Sequence, residues 1–138
     1  MVISMIGIDL AKESFQIHGV DKTGKAILRK TLRRREVLEF FVNLPKTVVC
    51  MEACGGSNYW ARKFKSLGHE VRIISAQYVK PFVKSQKNDY NDAEAIVEAG
   101  SRPSMRFVSP KEIWQQDIQN LHRVRQRLQS AKNAIVNQ

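Results

Sequence analysis

The chain has 138 residues, with 23 Lys plus Arg against 13 Asp plus Glu and a formal net charge of +10. This length makes one domain with room for a real core, and 43% hydrophobic with 26% charged residues excludes a mainly disordered chain. No run is long and apolar enough to be a membrane span or shaped like a secretory leader, two cysteines make no disulfide framework, and the basic excess points to a polyanion, most often nucleic acid.

In chain order, residues 2–9 (Val-Ile-Ser-Met-Ile-Gly-Ile-Asp) read as a buried strand. Ser14 to Val20 reads as a second, with Phe15, Ile17 and Val20 as apolar members. Asp21-Lys22-Thr23-Gly24 is a turn signal and Lys25 to Leu32 a third strand, which predicts an antiparallel meander. Arg33 to Asn43 carries Val37, Leu38, Phe40 and Phe41 at helical spacing, and Pro45 closes it. Thr47 to Met51 is a short apolar strand. Gly55-Gly56-Ser57 opens a helix running to about Leu67, where Gly68 stops it; its start reads either as an anion site of free backbone N–H groups or as a simple N-cap at Ser57. Glu70 to Ile74 is another buried strand. Tyr78 to Val83 predicts a short helix and Asn88 to Ala99 a longer one capped by Asn88. From Lys111 to about Asn137 a long helix repeats Trp114, Leu121, Leu128 and Ile135 every seven residues, the lower limit for a coiled coil. The order predicts an α/β fold: a mixed five-stranded sheet flanked by helices over 1–108, then a coiled-coil type helix over 109–138.

The acids carry the functional signal. Asp9 ends the apolar run Met5-Ile6-Gly7-Ile8, and Glu52 ends Val48-Val49-Cys50-Met51. Both are expected at the ends of buried strands, where an unpaired charge is costly and where ligand sites of open sheets gather. Asp89 and Asp92, three apart, share a helix face with Ala93 and Ile96, so they are expected to point at the sheet. Like charges so placed repel. A divalent cation removes the conflict; all-oxygen donors select Mg²⁺ or Mn²⁺ over zinc, and two such ions suit displacement at phosphorus. Taken singly, each acid also reads as a turn, cap or helix-dipole residue. The four together on a basic chain weigh the other way.

The blocks Gly7-Ile8-Asp9-Leu10-Ala11-Lys12, Met51-Glu52-Ala53-Cys54-Gly55-Gly56 and Lys87-Asn88-Asp89-Tyr90-Asn91-Asp92-Ala93 resemble the three acidic motifs of the DEDD transposases. These are recombinases of the IS-one-ten type bacterial insertion sequences, related to Piv-like DNA invertases. The resemblance covers most of residues 3–108. It implies a RuvC-like domain of the RNase H fold, with Asp9, Glu52, Asp89 and Asp92 as catalytic metal ligands, Mg²⁺ as the cofactor and Mn²⁺ as a substitute. It implies DNA strand cleavage and exchange, a structured guide RNA as partner, a homo-oligomer formed through the C-terminal helix, and a cytoplasmic, nucleoid-associated setting without a membrane. It also implies a C-terminal serine-containing domain absent from these residues, so that the chain is expected to be an N-terminal fragment or truncated copy. Cys54 and Asn88 stand where many relatives have threonine, and Ser75-Ala76 replaces a common Asn-Pro.

Lys12, three after Asp9, is a candidate phosphate contact as well as an ordinary surface lysine. Arg33, Arg34 and Arg35 form one basic cluster and Lys80, Lys84 and Lys87 another, each either a nucleic-acid surface or a solvated face. Cys50 and Cys54 lack further ligands for zinc, and Ser57 and Ser75 lack a His and acid pattern for hydrolase chemistry. The chief alternative is a nucleic-acid-binding module without chemistry. An actin-like sugar kinase also opens on Gly-Ile-Asp, but Leu10-Ala11-Lys12-Glu13 offers no phosphate-cradling glycines and the chain is too short for two lobes.

Overall fold

The computed structural model describes residues 2–84 and 89–137, with the side chains of 89 and 90 left aside. The apolar runs of the first third form an antiparallel meander of β1 (Met5–Asp9), β2 (Ser14–Val20) and β3 (Ala26–Arg33), in which Gly7 faces His18 and His18 faces Arg29. The turn between β2 and β3 is closed by Asp21. Its carboxylate accepts from Thr23 N–H at 2.8 Å, Thr23 Oγ1 at 2.6 Å and Lys25 N–H at 3.1 Å, while Gly24 takes a positive φ of 85°.

The expected helix at 33–43 divides into a 3-10 turn, Arg34–Glu36, and α1 (Val37–Val42). β4 (Val48–Glu52) then runs parallel to β1, and β5 (Glu70–Ile74) runs parallel to β4 across α2 (Ser57–Ser66). Ser57 is the first residue of α2 rather than its N-cap, which is Gly56. The Ser57 hydroxyl instead turns back to Cys54, donating to its carbonyl at 2.8 Å and accepting from its N–H at 3.2 Å. α3 (Ala76–Val79) and a 3-10 turn (Lys80–Phe82) precede α4 (Asp89–Ser101); the expected cap Asn88 lies outside the described residues.

The described strands make a six-stranded mixed sheet in the order β3-β2-β1-β4-β5-β6. The sixth, β6 (Phe107–Val108), corrects the expectation of five: it pairs antiparallel with Ile73 and Ile74. Two residues make too short a segment to show a strand period. A long helix, α5 (Ile113–Val136), follows, and none of its residues is buried. No described helix is long and apolar enough to cross a membrane.

Helices cover both faces. On one, α1 and α2 bury an aromatic core: Phe15 meets Trp60 edge to face at 5.2 Å, and Phe41 lies 4.3 Å from Phe64 between ring centroids. His69 is satisfied there, with Nδ1 accepting from Thr47 N–H at 3.3 Å and Nε2 2.8 Å from the Phe41 carbonyl. On the other face α4 lies over β1, β2 and β4, and the residues it buries are smaller: Ala95, Ile96 and Ala99 against Cys50, Ile74 and Val79.

Candidate functional site

Alternation along the strands sets the site. Asp9 falls on the same face of β1 as Met5 and Gly7, and Glu52 on the same face of β4 as Val48 and Cys50. That is the face α4 covers. β1 and β4 are neighbours in parallel register, Ile8 opposite Met51, so both carboxylates end adjacent strands on one side of the sheet. Both are half-buried.

Two glycines bring α4 down. A Cβ on Gly7 would collide with the Ala93 carbonyl oxygen and come within 2.6 Å of Val97 Cγ2, and one on Gly100 would collide with Cys50 Sγ. A helix this close to the sheet carries Asp92, the neighbour of Ala93, toward the strand ends. Burial pushes the Glu52 carboxyl above its usual range, and the Asp92 charge pushes it further the same way. Asp92, 40 residues further along the chain, thus bears on the charge of Glu52. Asp92 is half-buried, while Ala93 and Ile96 on its face are buried. Asp89 opens α4, one turn before Asp92, and its side chain lies outside the described residues. Among the described residues no group of three or more His, Cys, Asp or Glu could hold a metal ion. The donor chemistry fits a hard cation, being carboxylate oxygens that repel at a partly buried strand edge. Asp9, Glu52 and Asp92, all three described, do not by themselves form such a group.

The basic residues separate into different places. Arg33, Arg34 and Arg35 are exposed and line a cleft of about 810 Å³ with Glu13, Tyr59 and Trp60, on the α2 side of the sheet. Arg34 sets its guanidinium 5.4 Å from the Trp60 ring. Lys12 is exposed just beyond β1, and Lys80 is exposed in the second 3-10 turn. Lys84 is engaged, with Nζ 2.6 Å from Glu94 on α4. Lys87 lies outside the described residues.

Sequence reading missed two contributors. Gly7 and Gly100 are helix-docking positions; a glycine inside the apolar run of β1 is the signal that could have found the first. The second is a latch between α2 and the start of α5, joining segments about fifty residues apart, for which no local signal exists.

The DEDD transposase family model of the IS110 type, described as Transposase, matches residues 6–138. The chain is 53% identical over 138 residues to a probable family 20 transposase of Pseudomonas aeruginosa, and 46% identical over 136 residues to the transposase for insertion sequence element IS1111A of Coxiella burnetii. It is 48% identical over 136 residues to the transposase for IS1328 of Yersinia enterocolitica. These alignments cover 99–100% of this chain but only 37–41% of the relatives. Among solved structures, Thermus thermophilus RuvC in complex with a Holliday junction substrate superposes with a TM-score of 0.52 at 12% identity, over 78% of this chain and 100% of RuvC. That likeness gives the fold as RuvC-like, an RNase H-type sheet with flanking helices. With a family match along nearly its whole length, the chain belongs to the DEDD transposases of the IS110 type.

Proposed function

We propose that this chain is the metal-dependent catalytic domain of a DNA transposase, in which Asp9, Glu52, Asp89 and Asp92 hold Mg²⁺, with Mn²⁺ able to replace it. The observation that carries the reading is that Glu52 ends β4 half-buried on the face that α4 covers, where burial first and the Asp92 charge second push its carboxyl up. When bound, the cation supplies Lewis-acid stabilisation of charge developing on a scissile phosphate. The chain's own residues supply the framework: β1 and β4 fix two carboxylates in register, and the glycine contact at Gly7 fixes the helix bearing the others. DNA as the substrate is supported by the net charge of +10, by the transposase relatives and by the junction bound to RuvC.

The finer partners follow the same reading. Residues 1–108 form the catalytic unit and 109–138 begin a helix that pairs with a second copy, which is supported by the exposed stripe Trp114, Leu121, Leu128 and Ile135. Phosphates of DNA or of a structured guide RNA meet Lys12, Lys80, Lys84 and Lys87, and also Arg33, Arg34 and Arg35 on the α2 side of the sheet. Strand exchange uses the serine-containing domain that the family resemblance implies. Such work belongs with chromosomal DNA in the bacterial cytoplasm.

Titrating Mn²⁺ calorimetrically tests the reading. The wild-type chain is expected to bind, with Glu52→Gln and Asp92→Asn each weakening affinity at least about tenfold, as loss of one charged ligand does. Equal binding by all three proteins would leave a nucleic-acid module without chemistry.

A further inference from the structure

α5 is exposed along its length, yet its start is held firmly. Asn58 Oδ1 accepts from the Lys111 N–H at 2.8 Å. Arg62 Nη1 donates to the Lys111 carbonyl at 2.6 Å and to Gln116 Oε1 at 2.7 Å. The two partners on α2 lie one helical turn apart, so both present to the same neighbour. The latch fixes the angle at which α5 leaves the domain. It also closes a polar cleft of about 520 Å³ between the first turns of α5 and the loop after β4.

The lining of this cleft is chemically selective. Asn58 and the Cys54-Gly55 loop form one wall, and Gln119, Asn120 and Arg123 form the other, with Lys111 at the latch. Among the described residues two cations and several carboxamides line it, and no acid does. Carboxamides offer paired donors and acceptors that match base edges, while Lys and Arg match phosphate. The volume suits a segment of single strand and not a duplex. Ala53, which lines the cleft, directly follows Glu52, and Ile73 belongs to the aromatic core, so the cleft opens at the same end of the sheet as the carboxylates but on the opposite, α2 face. Among the described residues, none of the basic side chains discussed above as phosphate contacts lines it.

We infer that this cleft is a single-strand subsite. It takes a short phosphodiester segment, DNA or RNA, against Asn120 and Arg123, at the edge of the sheet that ends in Glu52. The inference rests on the nuclease reading for its purpose, but binding in the cleft needs no metal, so the two fail separately. Asn58 and Arg62 act as positioning residues, through α5.

The test is fluorescence anisotropy with a short labelled single strand of mixed sequence, in DNA and in RNA form, in EDTA. The double variant Asn120→Ala, Arg123→Ala is expected to weaken binding of at least one strand type about tenfold. Its thermal melting and Mn²⁺ affinity stay at wild-type values, since both side chains are exposed. Arg127→Ala removes one charge from the same helix outside the cleft and is expected to change affinity no more than about twofold. Asp92→Asn does the converse, losing Mn²⁺ while keeping the strand. Unchanged affinity of the double variant for both strand types, an equal loss in Arg127→Ala, or no wild-type binding overturns the subsite and leaves the metal reading standing.

Discussion

The two faces of the sheet are built on opposite plans. The α1 and α2 face is filled with large rings, Phe15, Phe41, Phe64 and Trp60, and holds the helices off at side-chain distance. The α4 face has no aromatic ring in its buried cluster and is thinned at Gly7 and Gly100, where helix and strand come close. Bulk serves stability and its absence serves placement: a side chain at the end of a close-docked helix reaches the strand ends, whereas one on a helix held away by phenylalanines does not.

Substitutions can break that division. Phe64→Ala on the bulky face should cost the most, about 4 kcal/mol in urea unfolding, yet leave Mn²⁺ affinity of the folded fraction near wild type. Gly7→Ala should cost less, about 2 to 3 kcal/mol from overpacking, while abolishing Mn²⁺ binding because α4 is lifted from β1. If Phe64→Ala loses metal as completely as Gly7→Ala, the faces are not separable.

A third effect sharpens the contrast by pH. His18 sits buried under α4, with no hydrogen-bond partner for Nδ1 among the described residues. Burial pulls its pKa below 6.5; Glu94 and Glu98 oppose this, while Arg29 and Lys84 add to it. Above pH 6.5 the ring is neutral whether the chain is folded or not. Below it the unfolded chain takes the proton first, so stability falls as pH falls. The melting temperature of wild type should drop between pH 7 and 5, and His18→Leu should flatten that drop. Parallel profiles would show that another group governs the acid limb. The smallest effect is in thiol labelling. Cys54 is exposed and should alkylate readily, while Cys50, whose thiol burial pushes up to about 12, should react only on unfolding.

Much of this plan was legible in residue order. Glu70–Ile74 reads as a strand to the residue, because β-branched apolar side chains lie between Gly68 and Ser75. Asp9 and Glu52 stood out because a charge ending an apolar run is costly without a purpose. What sequence could not show was long-range. β6 exists only because Ile73 and Ile74 offer it an edge, and the α2 to α5 latch joins residues about fifty positions apart. The helix expected at 33–43 begins as a 3-10 turn, capped where Glu36 reaches back to accept from the Arg33 N–H at 2.8 Å.

The margins of the sheet carry a final consequence. β3 borders one side with Arg29, Lys30 and Arg33, all exposed, and β6 borders the other with two residues, Phe107 lying 5.3 Å from the Arg72 guanidinium. Repulsion guards one rim and brevity the other, so neither invites another chain to add a strand. Copies of this protein that meet at high concentration are thereby steered away from fibrous stacking and toward contacts made through helices.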